Sequence, residues 1–267
     1  MKNISYILLF ITLITHLHAA LMVDDINNSI QEHVVITRGD IQILEASENI
    51  RFLSQQIVKG YFFLFDLPKK EELKNELNLR LIDLANNLNI IEKSTKDSDT
   101  QDILDFLAYS KDQISQMFSE DISHENAALL LDYSETLLEG ADSIASTHMY
   151  HFTSEEKMLM MTKKMEYLLE RMMKYYVALH IGFDNPTNKK QMHDAIIKFD
   201  ANLQMIAKYT YPKRIDLLKK HLMKKWEVNK IFLKQSEKIF IPQLMDMSAS
   251  NIEVLITQIT LYHNQNQ

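Results

Sequence analysis

No cysteine occurs anywhere in the 267-residue chain. Disulfides, thiolate metal sites and cysteine nucleophiles are thereby excluded, and stability has to come from packing. Glycine and proline are scarce, at four residues each. Sandwiches and barrels need many turns, and phosphate-cradling loops need glycines, so long helices are the natural alternative. After the first twenty or so residues no apolar run approaches the roughly 20 residues that span a bilayer. The last helical stretch, "LMDMSASNIEVLITQITLY", is interrupted by Asp246, Asn251 and Glu253. HExxH, GxSxG, Walker and di-iron Glu-x-x-His patterns are missing as well. The paired carboxylates Glu71–Glu72 and Glu155–Glu156 fall in predicted first turns, where they favour the helix dipole. A non-enzymatic protein without a cofactor is expected.

The N-terminus reads as a leader. Lys2 is followed by the apolar stretch "YILLFITLITHL" and then by small residues. That order describes a secretory signal peptide over residues 1–20, with cleavage near Ala19 or Ala20. The expected location is therefore the periplasm, with a soluble mature chain. The rest has the composition of a folded protein, 46% hydrophobic and 24% charged. Its net charge of −7 is unevenly spread. Residues 21–153 carry 10 basic and 24 acidic side chains, whereas residues 154–267 carry 18 and 12. Such halves attract each other, or the basic half faces an anionic partner.

Self-comparison uncovers a repeat. "QQIVKGYFFL" (55–64) aligns with "ERMMKYYVAL" (170–179), so that Lys59 meets Lys174, Tyr61 meets Tyr176 and Leu64 meets Leu179. Asn87, Leu88 and Ile91 meet Asn202, Leu203 and Ile206 at the same offset. Near the end, Asp132, Ser134 and Glu139 meet Asp246, Ser248 and Glu253. Two copies of one unit follow, residues 24–150 and 154–267. Helices are predicted over 40–65, 69–93, 100–118 and 124–149, then over 154–183, 187–208, 213–236 and 243–263. Pro68, Pro186, Pro212 and Pro242 fall in connections or first turns, where proline is tolerated. "SDTQD" and "TSEE" read as helix starts. In the opening helix, Ile43, Ala46, Ile50, Leu53, Ile57, Gly60 and Leu64 alternate spacings of three and four. This heptad-like seam suits shallow helix packing. The expected fold is all-α, two tandem four-helix-bundle units, with the fourth helix running nearly straight into the fifth.

Little else carries chemistry. His148 and His151 are spaced to share a helical face, a weak metal candidate that would make the chain a helical metalloprotein. Methionines of "EKMLMMTKKMEYLLERMMK" fall mostly on the seam and read as core filling. His180, in an apolar stretch, reads as a packed histidine. The basic cluster "KKHLMKKW" reads as a solvated helix face or a membrane-surface patch. Export argues against a nucleic-acid partner.

The stretch "IRFLSQQIVKGY" resembles the first-helix box of the N-terminal sensor domain of type IV pilus methyl-accepting chemotaxis transducers, the PilJ-type domain related to nitrate/nitrite sensors. Arg51, Leu53, Ser54, Gln55 and Lys59 match that box, and Gln56 replaces its second arginine. In the second copy, Arg171 and Lys174 match, and Glu166 replaces the first arginine. Trp226 resembles a recurring third-helix tryptophan. The resemblance implies a four-helix sensing module that binds a small anion such as nitrate or nitrite, with Arg51, Gln55, Gln56, Arg171 and Lys174 as the ligand-binding candidates. A guanidinium offers planar bidentate donors to an oxyanion. Each copy keeps one arginine of the pair, so a clamp requires two copies or a homodimer to bring them together. Outside such a clamp the arginines read as solvated or ion-paired, and Lys59 and Lys174 as snorkelling side chains. Any signal would pass through a protein partner in the envelope. The alternative is an envelope scaffold that takes no small ligand.

Overall fold

A computed structural model describes residues 38–65 and 70–266. Among them eight α-helices and no strands form, in chain order α1 (Arg38–Phe63), α2 (Lys70–Ser94), α3 (Ser98–Ser119), α4 (His124–Thr147), α5 (Ser154–Ala178), α6 (Pro186–Lys208), α7 (Lys213–Lys234) and α8 (Pro242–Gln265). The all-α expectation holds. The leader over 1–20, the first residues of the first copy and Pro68 lie outside the described residues.

Local chemistry accounts for the helix limits. Asp97 caps α3 by accepting from the Thr100 N–H at 2.8 Å, so the helix begins at Ser98, two residues before the expected start. Thr153 and Glu156 form a reciprocal capping box at the head of α5, which satisfies two otherwise orphaned donors. Pro186 and Pro242 occupy first turns, where no N–H is needed. α5 stops at Ala178 rather than at 183. Gly182, at φ 106°, turns the chain through the left-handed region, and the Phe183 N–H donates back to Ala178 C=O at 3.0 Å. α4 and α5 are not continuous. Residues 148–153 leave the helix between them.

The predicted seam is buried. Ile43, Ile50 and Ile57 are at most 1% exposed, and Met165, Leu168 and Met172 answer them in α5. The C-terminal halves of α1 and α5 go further, because every residue from 53 to 64 and from 167 to 179 is buried. These two helices are central. α1 packs against α2, α4 and α5, while α2 meets α3 and α3 meets α4. α5 packs against α6 and α8 as well as α1, while α6 meets α7 and α7 meets α8. Apart from the α1–α5 contact, the second set of neighbours is the first with four added to each label. One hydrophobic core runs through all eight helices.

Equivalent tyrosines perform equivalent tasks. The Tyr61 hydroxyl accepts from the Ser123 N–H at 3.3 Å and so ties α1 to the α3–α4 connection. The Tyr176 hydroxyl accepts from Ile241 N–H at 2.9 Å and donates to Ile239 C=O at 3.0 Å, tying α5 to the α7–α8 connection.

Candidate functional site

Central helices that are buried all round need partners for every polar side chain they carry. Lys174 on α5 is completely buried. Its ammonium donates to Ser134 Oγ at 2.8 Å and to Glu135 Oε1 at 2.7 Å, both on α4. Lys59, its counterpart on α1, lies 2.9 Å from Glu170 on α5 and 2.7 Å from Asp246 on α8. The matched lysines therefore cross over, Lys174 of α5 reaching α4 and Lys59 of α1 reaching α8. Neither snorkels. Burial works against the Lys59 charge, but Glu170 and Asp246 outweigh it and hold the ammonium above its ordinary pKa.

Glu135 is the densest node. Arg171 grips both its oxygens, at 2.9 and 2.6 Å. The Tyr175 hydroxyl donates to it at 2.9 Å. Burial alone raises its pKa, yet Lys174 and Arg171 outweigh burial and bring it down to about 2. Lys174 is brought down to about 8, first by burial, with Arg171 adding to it against the pull of Glu135. The two directions agree physically. Glu135 serves two cations, while Lys174 must share its single carboxylate with Arg171. Two cations of the basic half thus meet a carboxylate of the acidic half.

Arg51 and Arg171 border one cleft of about 120 Å³, together with Tyr167. Both guanidiniums already have carboxylate partners. Arg51, 6% exposed, pairs with Glu48 and Asp142 and lies 5.7 Å over the Tyr167 ring. Arg171 adds Gln191 at 2.8 Å to its grip on Glu135. An oxyanion between the two would have to displace these acids. Gln55 donates to Ser134 C=O at 3.3 Å and to Ser54 Oγ at 3.0 Å, and Lys174 meets the same Ser134 through its hydroxyl. Gln55 Oε1 and Gln56 Oε1 are buried without a partner.

A larger cavity, about 440 Å³, opens on the other side of Arg51. α1 supplies Glu48 and Arg51, α4 supplies Asp142, α5 supplies Lys164 and α6 supplies Asn202. The remaining wall is mostly apolar, with Met149, Phe152, Met160, Met161 and Met205. Three residues that line it each keep a buried polar atom without a hydrogen-bond partner, namely Glu48 Oε2, Arg51 Nε and Asn202 Nδ2. Burial raises the Glu48 pKa against the opposing pull of Arg51. No family model, curated protein or solved structure matches this chain.

His148 and His151 do not share a helical face, because α4 ends at Thr147. His148 Nδ1 lies 3.0 Å from Asp40 and Nε2 lies 3.3 Å from Thr100, so both ring nitrogens are engaged. His151 is exposed. Among the described residues no group of three or more His, Asp or Glu is arranged to hold a metal ion. His180 is packed as expected, stacked on Phe240 at 3.6 Å. None of the described helices is long and apolar enough to cross a membrane.

Sequence reasoning reached Arg51, Arg171 and Lys174 but missed Glu48, Glu135, Asp142 and Asn202. Glu48 had a local signal, three residues before Arg51 on one helix. Glu135 and Asn202 had none, since their partners lie on other helices.

Proposed function

We propose that this chain is an exported, non-enzymatic binding protein made of two tandem four-helix units, resembling the PilJ-type sensor domain. It takes a small ligand in the cavity beside Arg51 and reports occupancy to a protein partner in the envelope. The observation that carries this reading is a cavity lined by Glu48, Arg51 and Asn202, each of which keeps a buried polar atom without a hydrogen-bond partner. Unsatisfied buried polar groups cost about 1–3 kcal/mol each, and a ligand toward which these side chains turn recovers that cost. The cavity volume of about 440 Å³ lies within the roughly 300–1,000 Å³ of small-molecule sites. The repeated neighbour pattern of α1–α4 and α5–α8 and the matched tyrosine ties support the two-unit division. Because Arg51 lines the larger cavity and Arg171 does not, the reading moves the site from an arginine pair to Arg51 alone.

Calorimetry with nitrate, nitrite and small carboxylates tests it, on wild type, Arg51→Ala and Arg171→Ala. Binding heat lost in Arg51→Ala and kept in Arg171→Ala is the expected result. Heat lost in Arg171→Ala alone would return the site to the cleft between the arginines. A second reading, an envelope scaffold, draws on exposed apolar side chains along α7 and α8, among them Val228, Ile231, Met247 and Val254. Exposed apolar side chains mark interaction surfaces where they adjoin one another. No heat with any small ligand would favour it.

A further inference from the structure

We infer that the cavity beside Arg51 takes an amphipathic monocarboxylic acid, an aliphatic or aromatic body ending in one carboxyl group, rather than a bare inorganic anion. The inference rests on the binding reading above and names the class of ligand. A nitrate-sized ion would touch Arg51 and leave most of the 440 Å³ empty. The wall over that empty volume is apolar and adaptable. Met149, Met160, Met161 and Met205 carry flexible thioethers that mould to irregular hydrocarbon, and Phe152 adds a flat face.

Three residues at the polar end carry groups that a carboxyl group could pair with once their side chains turn toward it. Arg51 Nε and Asn202 Nδ2 are unpaired donors, and Glu48 Oε2 is an unpaired acceptor. A carboxyl group offers two acceptor oxygens and, when protonated, one donor. Glu48 is 95% buried, at 5% exposure, and its pKa is raised by burial. One proton shared between it and the ligand acid would relieve the repulsion of two facing carboxylates. The surrounding charges favour an anion overall. Arg51, Lys157 and Lys164 on the wall outnumber Glu48 and Asp142. Both lysines are exposed and stand at the rim, where they attract rather than clamp.

Titration calorimetry on the full chain decides the matter, with sodium decanoate, decanol and sodium nitrate as probes below micelle-forming concentration. Decanoate should bind, decanol about tenfold more weakly or worse, and nitrate not measurably. Arg51→Met should weaken decanoate about tenfold or more. Ser146→Trp, at an exposed position on the cavity wall, should block binding while leaving the helical circular dichroism unchanged. That second variant keeps the test valid if Arg51→Met misfolds. Nitrate binding that depends on Arg51, with no decanoate binding, would overturn this inference and leave the binding reading standing. Decanoate binding indifferent to both substitutions would overturn the site. Silence with every probe would overturn the inference and the binding reading together.

Discussion

Replacing Glu135 with glutamine removes the carboxylate on which Arg171, Lys174 and Tyr175 converge. Its size and volume are kept, so the change isolates charge. The fall of the Glu135 pKa from 4.5 to about 2, at about 1.36 kcal/mol per pH unit, corresponds to about 3 kcal/mol of native-state stabilisation of the ionised form. That agrees with the roughly 3–5 kcal/mol lost when one partner of a buried ion pair is removed. Lys174 would then lie completely buried with no carboxylate beside it, and its pKa would fall further below about 8. The sign with pH is fixed. A carboxyl whose folded pKa is depressed stabilises the native state above 4.5 and loses that contribution as pH falls toward 2. Urea unfolding followed by circular dichroism should show Glu135→Gln about 3 kcal/mol less stable than wild type at about pH 7. The gap should shrink as pH falls below 4.5 and approach zero near 2. A gap below about 1 kcal/mol at neutral pH, the range of exposed ion pairs, or one that stays constant into acid, would refute the reasoning.

Lys59→Met should cost about 3–5 kcal/mol, since Glu170, with its side chain 2% exposed, loses its cation. Adding Glu170→Met should recover most of that loss, and a double-mutant cycle measures the coupling. Glu253 behaves in the opposite sense to Glu135. Burial and then the Glu170 charge raise its pKa to about 7, so it stabilises the fold below 4.5 and loses that contribution as pH rises to 7. Glu253→Gln should therefore raise stability by about 1–2 kcal/mol above pH 7, a figure reduced for partial exposure, and by nothing near pH 4. Equal effects at both pH values would contradict this. Trp226, the only tryptophan, is fully buried, packs tilted against Phe199 with ring centroids 4.2 Å apart and donates to Asp200 at 2.5 Å. Its fluorescence reports α6 and α7 alone, whereas circular dichroism reports all helices. With one continuous core the two unfolding curves should coincide, and separate midpoints would show that the two halves unfold independently.

Helices, their limits and their inward stripe are local properties. Spacings of three and four in residues 43–64, scarce glycine, and prolines at first turns were enough to place all eight helices within a few residues. The errors fall where local signals compete. α5 ends early because Gly182 reverses the chain, and α4 stops because the capping box at Thr153 starts a new helix rather than prolonging the old one. The matching of Lys59 with Lys174 and of Tyr61 with Tyr176 was likewise legible, because a repeat leaves its offset in the chain. The fate of the charges was not. A lysine one step off a seam looks like a snorkelling side chain when its helix has two neighbours, and becomes fully buried when that helix has three. The third neighbour is the α1–α5 contact, which joins residues more than a hundred positions apart. Glu135 is one of several acids along α4 until α5 lies against it, and Glu48, Arg51 and Asn202 form one wall only after α1 and α6 flank the same cavity. Periodicity records which face of a helix is apolar. Which charge stands opposite a buried charge depends on the packing of other helices, and no pattern within one segment encodes it.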